Sequence, residues 1–144
     1  RLNYANDLSY GILVEIAKAV MKGKSIDLQM GNVNVIWQGD ANEMALRSLN
    51  HCEVPAKILN ITGPETVSVR WLAEQFGVLF AKTPIFTGEE RNTALISNAA
   101  ESFRLFGYPK VPLKEMIELT SGWLLQDGFT RNKPTHFQER EGRY

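Results

Sequence analysis

The chain has 144 residues, 44% hydrophobic and 22% charged, a composition that supports one folded domain with a real core and not a disordered segment. Its 16 basic and 16 acidic residues cancel, so no broad positive field exists to hold nucleic acid or an anionic membrane, and neither is expected as a partner. A single cysteine, Cys52, excludes an internal disulfide, and with only His51 and His136 beside it no metal-ligand set is expected; a reduced, cytoplasmic setting fits best.

No apolar run approaches the roughly 20 residues that span a bilayer. The chain opens on Arg1 and not on methionine, as a piece of a longer protein would. Arg1-Leu2-Asn3-Tyr4-Ala5, short and partly apolar before Asn6-Asp7, reads as the end of a strand feeding a loop. From Tyr10 to Lys22 the residues Leu13, Ile16, Ala17, Val20 and Met21 recur at helical spacing, which predicts a helix that Gly23 terminates. Ser25 to Met30 and Val33 to Trp37 alternate apolar with polar residues and predict two short strands. Asp40, three residues before Glu43, reads as the cap of a helix running to about Leu49.

Ile58, Leu59 and Ile61 ahead of Gly63-Pro64 predict a buried strand over Lys57 to Thr62. Ser68 is expected to cap a helix whose face is Val69, Leu72, Ala73, Phe76, Leu79 and Phe80. Pro84 to Thr87 reads as a strand, and Asn98 with Glu101 opens a short helix that Gly107 closes. The last helix runs from about Pro112 to Gln126, with Leu113, Met116, Ile117, Thr120, Trp123 and Leu124 on one face. From Phe129 onward periodicity is lost, so the expected division is a domain over 1–128 and an extended or mobile tail over 129–144, unless the tail docks.

A search for chemistry returns absences. There is no glycine-rich phosphate turn, no G-x-S-x-G elbow, no H-E-x-x-H, and no tyrosine followed four residues later by lysine. No catalytic residue is assigned, and His51 and His136 have no evident acid partner.

The order of the pieces carries the information: Arg1 to Ala5, a helix and a strand pair, Val35-Ile36-Trp37-Gln38-Gly39-Asp40-Ala41 into a helix, Ile58-Leu59-Asn60-Ile61-Thr62-Gly63 with Ser68 capping the next, then Ser97-Asn98 to Leu105-Phe106-Gly107-Tyr108-Pro109, and a last helix ending near Trp123. This order resembles the C-terminal half of the extended short-chain dehydrogenase/reductase family, the NAD(P)-dependent epimerases and dehydratases, over nearly the whole chain up to the tail. The resemblance implies an α/β fold, a small mixed sheet covered by about five helices, forming the C-terminal part of a Rossmann-type enzyme without its nucleotide-binding half. It implies that the cofactor glycines and the catalytic Ser/Thr, Tyr and Lys lie upstream of Arg1. NAD or NADP would then bind the full-length protein and is not expected to bind this portion alone, which would be inactive by itself. The missing half is the expected partner, together with a sugar-like small-molecule substrate. The apolar surface left open where that half docks makes a homo-oligomer an expectation as well.

In the family an asparagine matched by Asn3 commonly contacts substrate, which makes Asn3 the first site candidate. Its bland reading is a loop residue bonding its own backbone. Trp37, more often core, is a candidate to line the ligand. Glu89 and Arg91 lie in a polar loop that reads by default as solvated charge and otherwise as substrate-facing. Members acting on nucleotide-diphosphate sugars usually carry an arginine where Val33 stands and another near Gly88-Glu89-Glu90; arginine's planar fork suits a diphosphate, so both losses weaken that substrate class. The family's aspartate before the short helix is matched by Asn98, which keeps the cap and drops the charge. A non-enzymatic small-ligand or protein-binding module is the alternative reading.

Overall fold

The computed structural model describes residues 1–140. Helix α1 (Ile12–Met21) buries Leu13, Ile16, Ala17 and Val20, the stripe read from its spacing. Its start is fixed by a close approach. Asn6, 1% exposed, accepts the Leu13 amide on its Oδ1 at 3.0 Å, and a Cβ on Gly11 (φ 130°) would lie 2.3 Å from that oxygen, so a side chain at position 11 has no room.

The sheet is mixed, as expected, but it is broken into pairs. Strand β1 (Ala5–Asn6) runs parallel to β4 (Ile36–Trp37), β2 (Ser25–Asp27) parallel to β6 (Ile85–Thr87), and β3 (Asn32–Val33) antiparallel to β5 (Val67–Ser68). The stretch read as one strand over Val33 to Trp37 is therefore two, with Asn34 and Val35 between them and each part paired to a different partner. The strand expected over Lys57 to Thr62 reduces to a single parallel bridge between Leu2 and Ile61, in which Asn3 N donates to Ile61 O at 3.0 Å and Ile61 N to Arg1 O at 2.8 Å. Only the short opening segment faces it, so the ladder cannot extend, and Ile58 stays 61% exposed.

Four further helices follow: α2 (Gln38–Ser48), α3 (Val69–Phe80), α4 (Ala100–Phe106) and α5 (Leu113–Leu125). Ser68 caps α3 as read, its Oγ accepting the Trp71 amide at 3.2 Å, and Asn98 Oδ1 accepts the Ala100 amide at 2.9 Å ahead of α4. Leu79, placed on the buried stripe of α3, is instead 42% exposed. The main core joins α1, α3 and α5 through residues such as Leu13, Phe76 and Met116; a second cluster holds Ile36, Ala41, Met44, Leu59, Ile61 and Phe106. On the surface, the Arg104 guanidinium and then Lys57 hold the Glu101 carboxyl down to about 2.

Asp40 is not the cap of α2. The helix begins two residues earlier, at Gln38, and the nearly buried carboxylate accepts the amides of Lys110 (3.1 Å) and Val111 (3.0 Å), pinning the approach to α5. Hydrogen bonds to a charged acceptor are the stronger kind. Asp40→Ala is expected to cost about 1.5–3 kcal/mol in urea denaturation. Amide exchange at Lys110 and Val111 should quicken with it; unchanged protection at both would refute this role.

Residues 129–140 form no helix or strand, yet they are tied down. Thr135 donates through its amide and hydroxyl to Glu15 Oε2, at 2.8 and 2.7 Å. Lys18 Nζ reaches Thr130 Oγ1 at 2.8 Å and Asn132 Oδ1, and Phe137 enters the main core. Residues 141–144 of the expected tail lie outside the described residues. No helix among the described residues is long and apolar enough to cross a membrane.

Candidate functional site

Between the β3–β4 break, the turn at Gly63-Pro64 and the loop before α4 lies an open cleft of about 390 Å³, lined by Asn34, Gly63, Thr66, Ser97, Asn98 and Phe103 among others. The break in the strand creates its central group. With the backbone out of the ladder at Asn34, the 5% exposed side chain turns to long-range partners: its Oδ1 accepts Asn3 Nδ2 at 3.2 Å and the Ser97 amide at 2.9 Å. One amide oxygen thus joins the opening segment to the loop.

The loop is fastened on both sides of Ser97. The Leu95 amide meets Met30 Sδ at 3.3 Å, and Arg140 Nη1 donates to Thr93 O at 3.0 Å and to Gln29 O at 2.9 Å, with Nη2 on Thr93 Oγ1. Beyond it, Asn60 Nδ2 donates to Asn98 O at 2.9 Å while Ser102 Oγ donates to Asn60 O at 2.6 Å. Next to Gly63, Thr62 is fully buried, and its Oγ1 finds no hydrogen bond among the described residues, an unmet capacity that is uncommon in a folded interior.

Among the described residues the lining carries amides, hydroxyls, backbone groups and one aromatic ring, with no titratable side chain. Such a surface can orient a neutral, hydroxyl-bearing ligand by hydrogen bonds and apolar contact; it cannot itself take or give a proton in catalysis. Nor does it present a cation to a diphosphate.

Of the residues singled out from sequence, Asn3 is bonded to the cleft wall through Asn34. Trp37 is half-buried in β4 against the main core and does not line the cleft. Glu89 and Arg91 are exposed and lie outside the lining; between them Glu90 pairs with Arg70 at 2.9 Å, whose guanidinium sits 4.6 Å from the centre of the Phe86 ring. None of the four is itself a lining residue; Asn3 stands one hydrogen bond behind the wall, on Asn34, and the other three have no such tie to it. Sequence reasoning missed Asn34, Thr62, Gly63 and Ser97. Asn34 fills the polar position of an alternating stretch, so nothing local in the sequence set it apart.

No protein-family model and no curated protein sequence matches the chain. Solved structures do. The UDP-glucose 4-epimerase of Thermotoga maritima, solved with UDP-glucose, superposes with a TM-score of 0.65 at 15% identity over 88% of this chain and 45% of that one. The Thermus thermophilus UDP-glucose 4-epimerase in complex with NAD gives 0.63 at 19% identity, over 85% and 44%. The dTDP-glucose 4,6-dehydratase of Bacillus anthracis, also with NAD, gives 0.66 at 18% identity, over 88% and 44%. The chain spans less than half the length of each of these enzymes. Over the part that it spans, the chain has the α/β fold of the extended short-chain epimerases and dehydratases.

Proposed function

We propose that the chain is the C-terminal, substrate-recognising portion of an NAD- or NADP-dependent epimerase, dehydratase or reductase, and that it holds a sugar or related carbinol in the cleft beside Asn34. The observation that carries this reading is the uncharged polar lining organised by Asn34, on a fold shared with sugar-nucleotide enzymes. In the whole protein the nicotinamide, when bound, would accept hydride from a substrate carbinol, and the upstream half would hold it. This chain would position the substrate's hydroxyls and exclude water, which is where much of the advantage of a preformed site lies. Asn3 ranks first as a ligand contact because its amide already meets the cleft wall; Trp37, Glu89 and Arg91 rank behind it. Leu46, Leu49, Val54 and Ile58, each more than 60% exposed, supply the apolar surface on which this reading seats either the upstream half or a second copy.

The test is titration with NAD and NADP of the protein translated from the frame that includes the codons upstream of Arg1. Cofactor binding is expected, with Asn3→Ala weakening sugar binding about tenfold, the size of one lost hydrogen bond to a ligand, while leaving cofactor affinity unchanged. A protein that binds neither cofactor, yet still binds a small ligand in an Asn3-dependent way, would instead be a non-enzymatic binding module.

A further inference from the structure

A second cleft of about 390 Å³ opens between α1 and the described tail, and it shares no lining residue with the first. Its chemistry is the opposite. Lys18, Lys22, Lys24 and Lys133 line it, and among the described residues Glu15 is the one carboxylate in the lining. That carboxylate is already engaged by the amide and hydroxyl of Thr135. In a chain whose charges sum to zero, this concentration of cations in one concavity is a local excess.

The lysines divide into two kinds. Lys18 belongs to the wall: its ammonium donates to Thr130 and Asn132 and so fastens the tail across α1. Lys22 and Lys24 are exposed, stand at the end of α1 and just past it, and flank the opening with Ser25. Lys22, which caps the end of α1, follows Lys18 by four positions, a spacing at which like charges repel. The repulsion registers on Lys18, whose pKa falls below the ordinary lysine value through burial first and then through Lys22 and Lys24. An anion seated among them would offset the repulsion. The concavity limits the ligand's size, since the cations face a pocket and do not form the stripe that would track a nucleic-acid backbone.

We propose that this cleft binds a small, multiply charged anion of the phosphate or diphosphate class, with Lys22, Lys24 and Lys133 as its cationic contacts and Lys18 holding the tail in place as the wall. The tail is then a structural part of a binding site.

The experiment is calorimetric titration of the chain with inorganic pyrophosphate at low ionic strength, repeated on a Lys22→Gln/Lys24→Gln double variant and on Lys114→Gln. Lys114 lies on α5 with its side chain 87% exposed, and serves as the control for general charge loss. Both lysines of the double variant are exposed, so it should melt at the wild-type temperature. The expected result is saturable one-site binding, at least tenfold weaker in the double variant and unchanged in Lys114→Gln. Absence of saturable binding, or equal weakening in both variants, overturns the site. Tighter binding to an oligonucleotide or to anionic vesicles, with the same sensitivity to Lys22 and Lys24, overturns the small-molecule assignment.

Discussion

Phe137→Ala is expected to lower the free energy of unfolding by about 3–5 kcal/mol, the usual cost of removing a fully buried aromatic side chain. Phe137 is 1% exposed and belongs to the same core cluster as α1, α3 and α5. Its neighbours in sequence cannot substitute for it, because the surrounding contacts are polar: Thr135 on Glu15 on one side, Arg140 on Thr93 and Gln29 on the other. These bonds set where the segment crosses the body, and the ring supplies the apolar burial. A domain of this size has only about 5–15 kcal/mol to lose, so the variant should approach the threshold of folding. Phe129→Ala is the internal comparison, since Phe129 is 71% exposed and its loss should change stability by less than about 0.5 kcal/mol. Urea denaturation of both variants decides the matter. Equal, small effects would mean that the tail leaves the core in solution and that the domain ends where periodicity ends.

That contrast marks the limit of what could be read from the residues. The stripes of α1, α3 and α5 were legible because helical periodicity is local: each apolar residue announces its face through neighbours three and four positions away. Ser68 was legible for the same reason, its partner Trp71 lying within one turn. Asp40 misled, because an acidic residue at a helix start has the same signature whether it bonds its own first turn or a segment 70 residues away. Phe137 gave no periodic signal, and the ties around it span more than 100 positions. The cleft shows the same division. Asn3 could be named through a family resemblance, whereas the pairing of Asn34 with Ser97 is a product of the fold, across 63 positions. Strand pairs of two or three residues explain the sheet: so short a ladder leaves little alternation to count, and the same bases of inference made one strand of β3 and β4.

Gly63→Ala is expected to destabilise the chain by about 3 kcal/mol, at the upper end for overpacking, and to loosen the cleft as it does so. A Cβ at position 63 would stand 2.0 Å from the carbonyl oxygen of Val35 and 3.1 Å from its carbon. Neither atom belongs to a side chain that could rotate aside, so the backbone must move. Val35 is 2% exposed and lies between Asn34 and β4, which leaves it little room. Any shift of Val35 carries Asn34 with it, and Asn34 holds both Asn3 and the Ser97 amide. The substitution should therefore raise hydrogen exchange at Ser97 by more than it does at amides of α3, which share Val35's core cluster but lie outside the bonds that Asn34 makes to Asn3 and Ser97. Pro64→Ala serves as the neighbouring control, because Pro64 lines the same cleft but is exposed, and its stability should stay within about 0.5 kcal/mol of wild type. If Gly63→Ala lost stability with Ser97 protection unchanged relative to α3, the clash would be real but Asn34 would not couple the turn to the loop. If it lost neither, the close approach of Gly63 to Val35 would not exist in solution, and the account of how the cleft is built would fail with it.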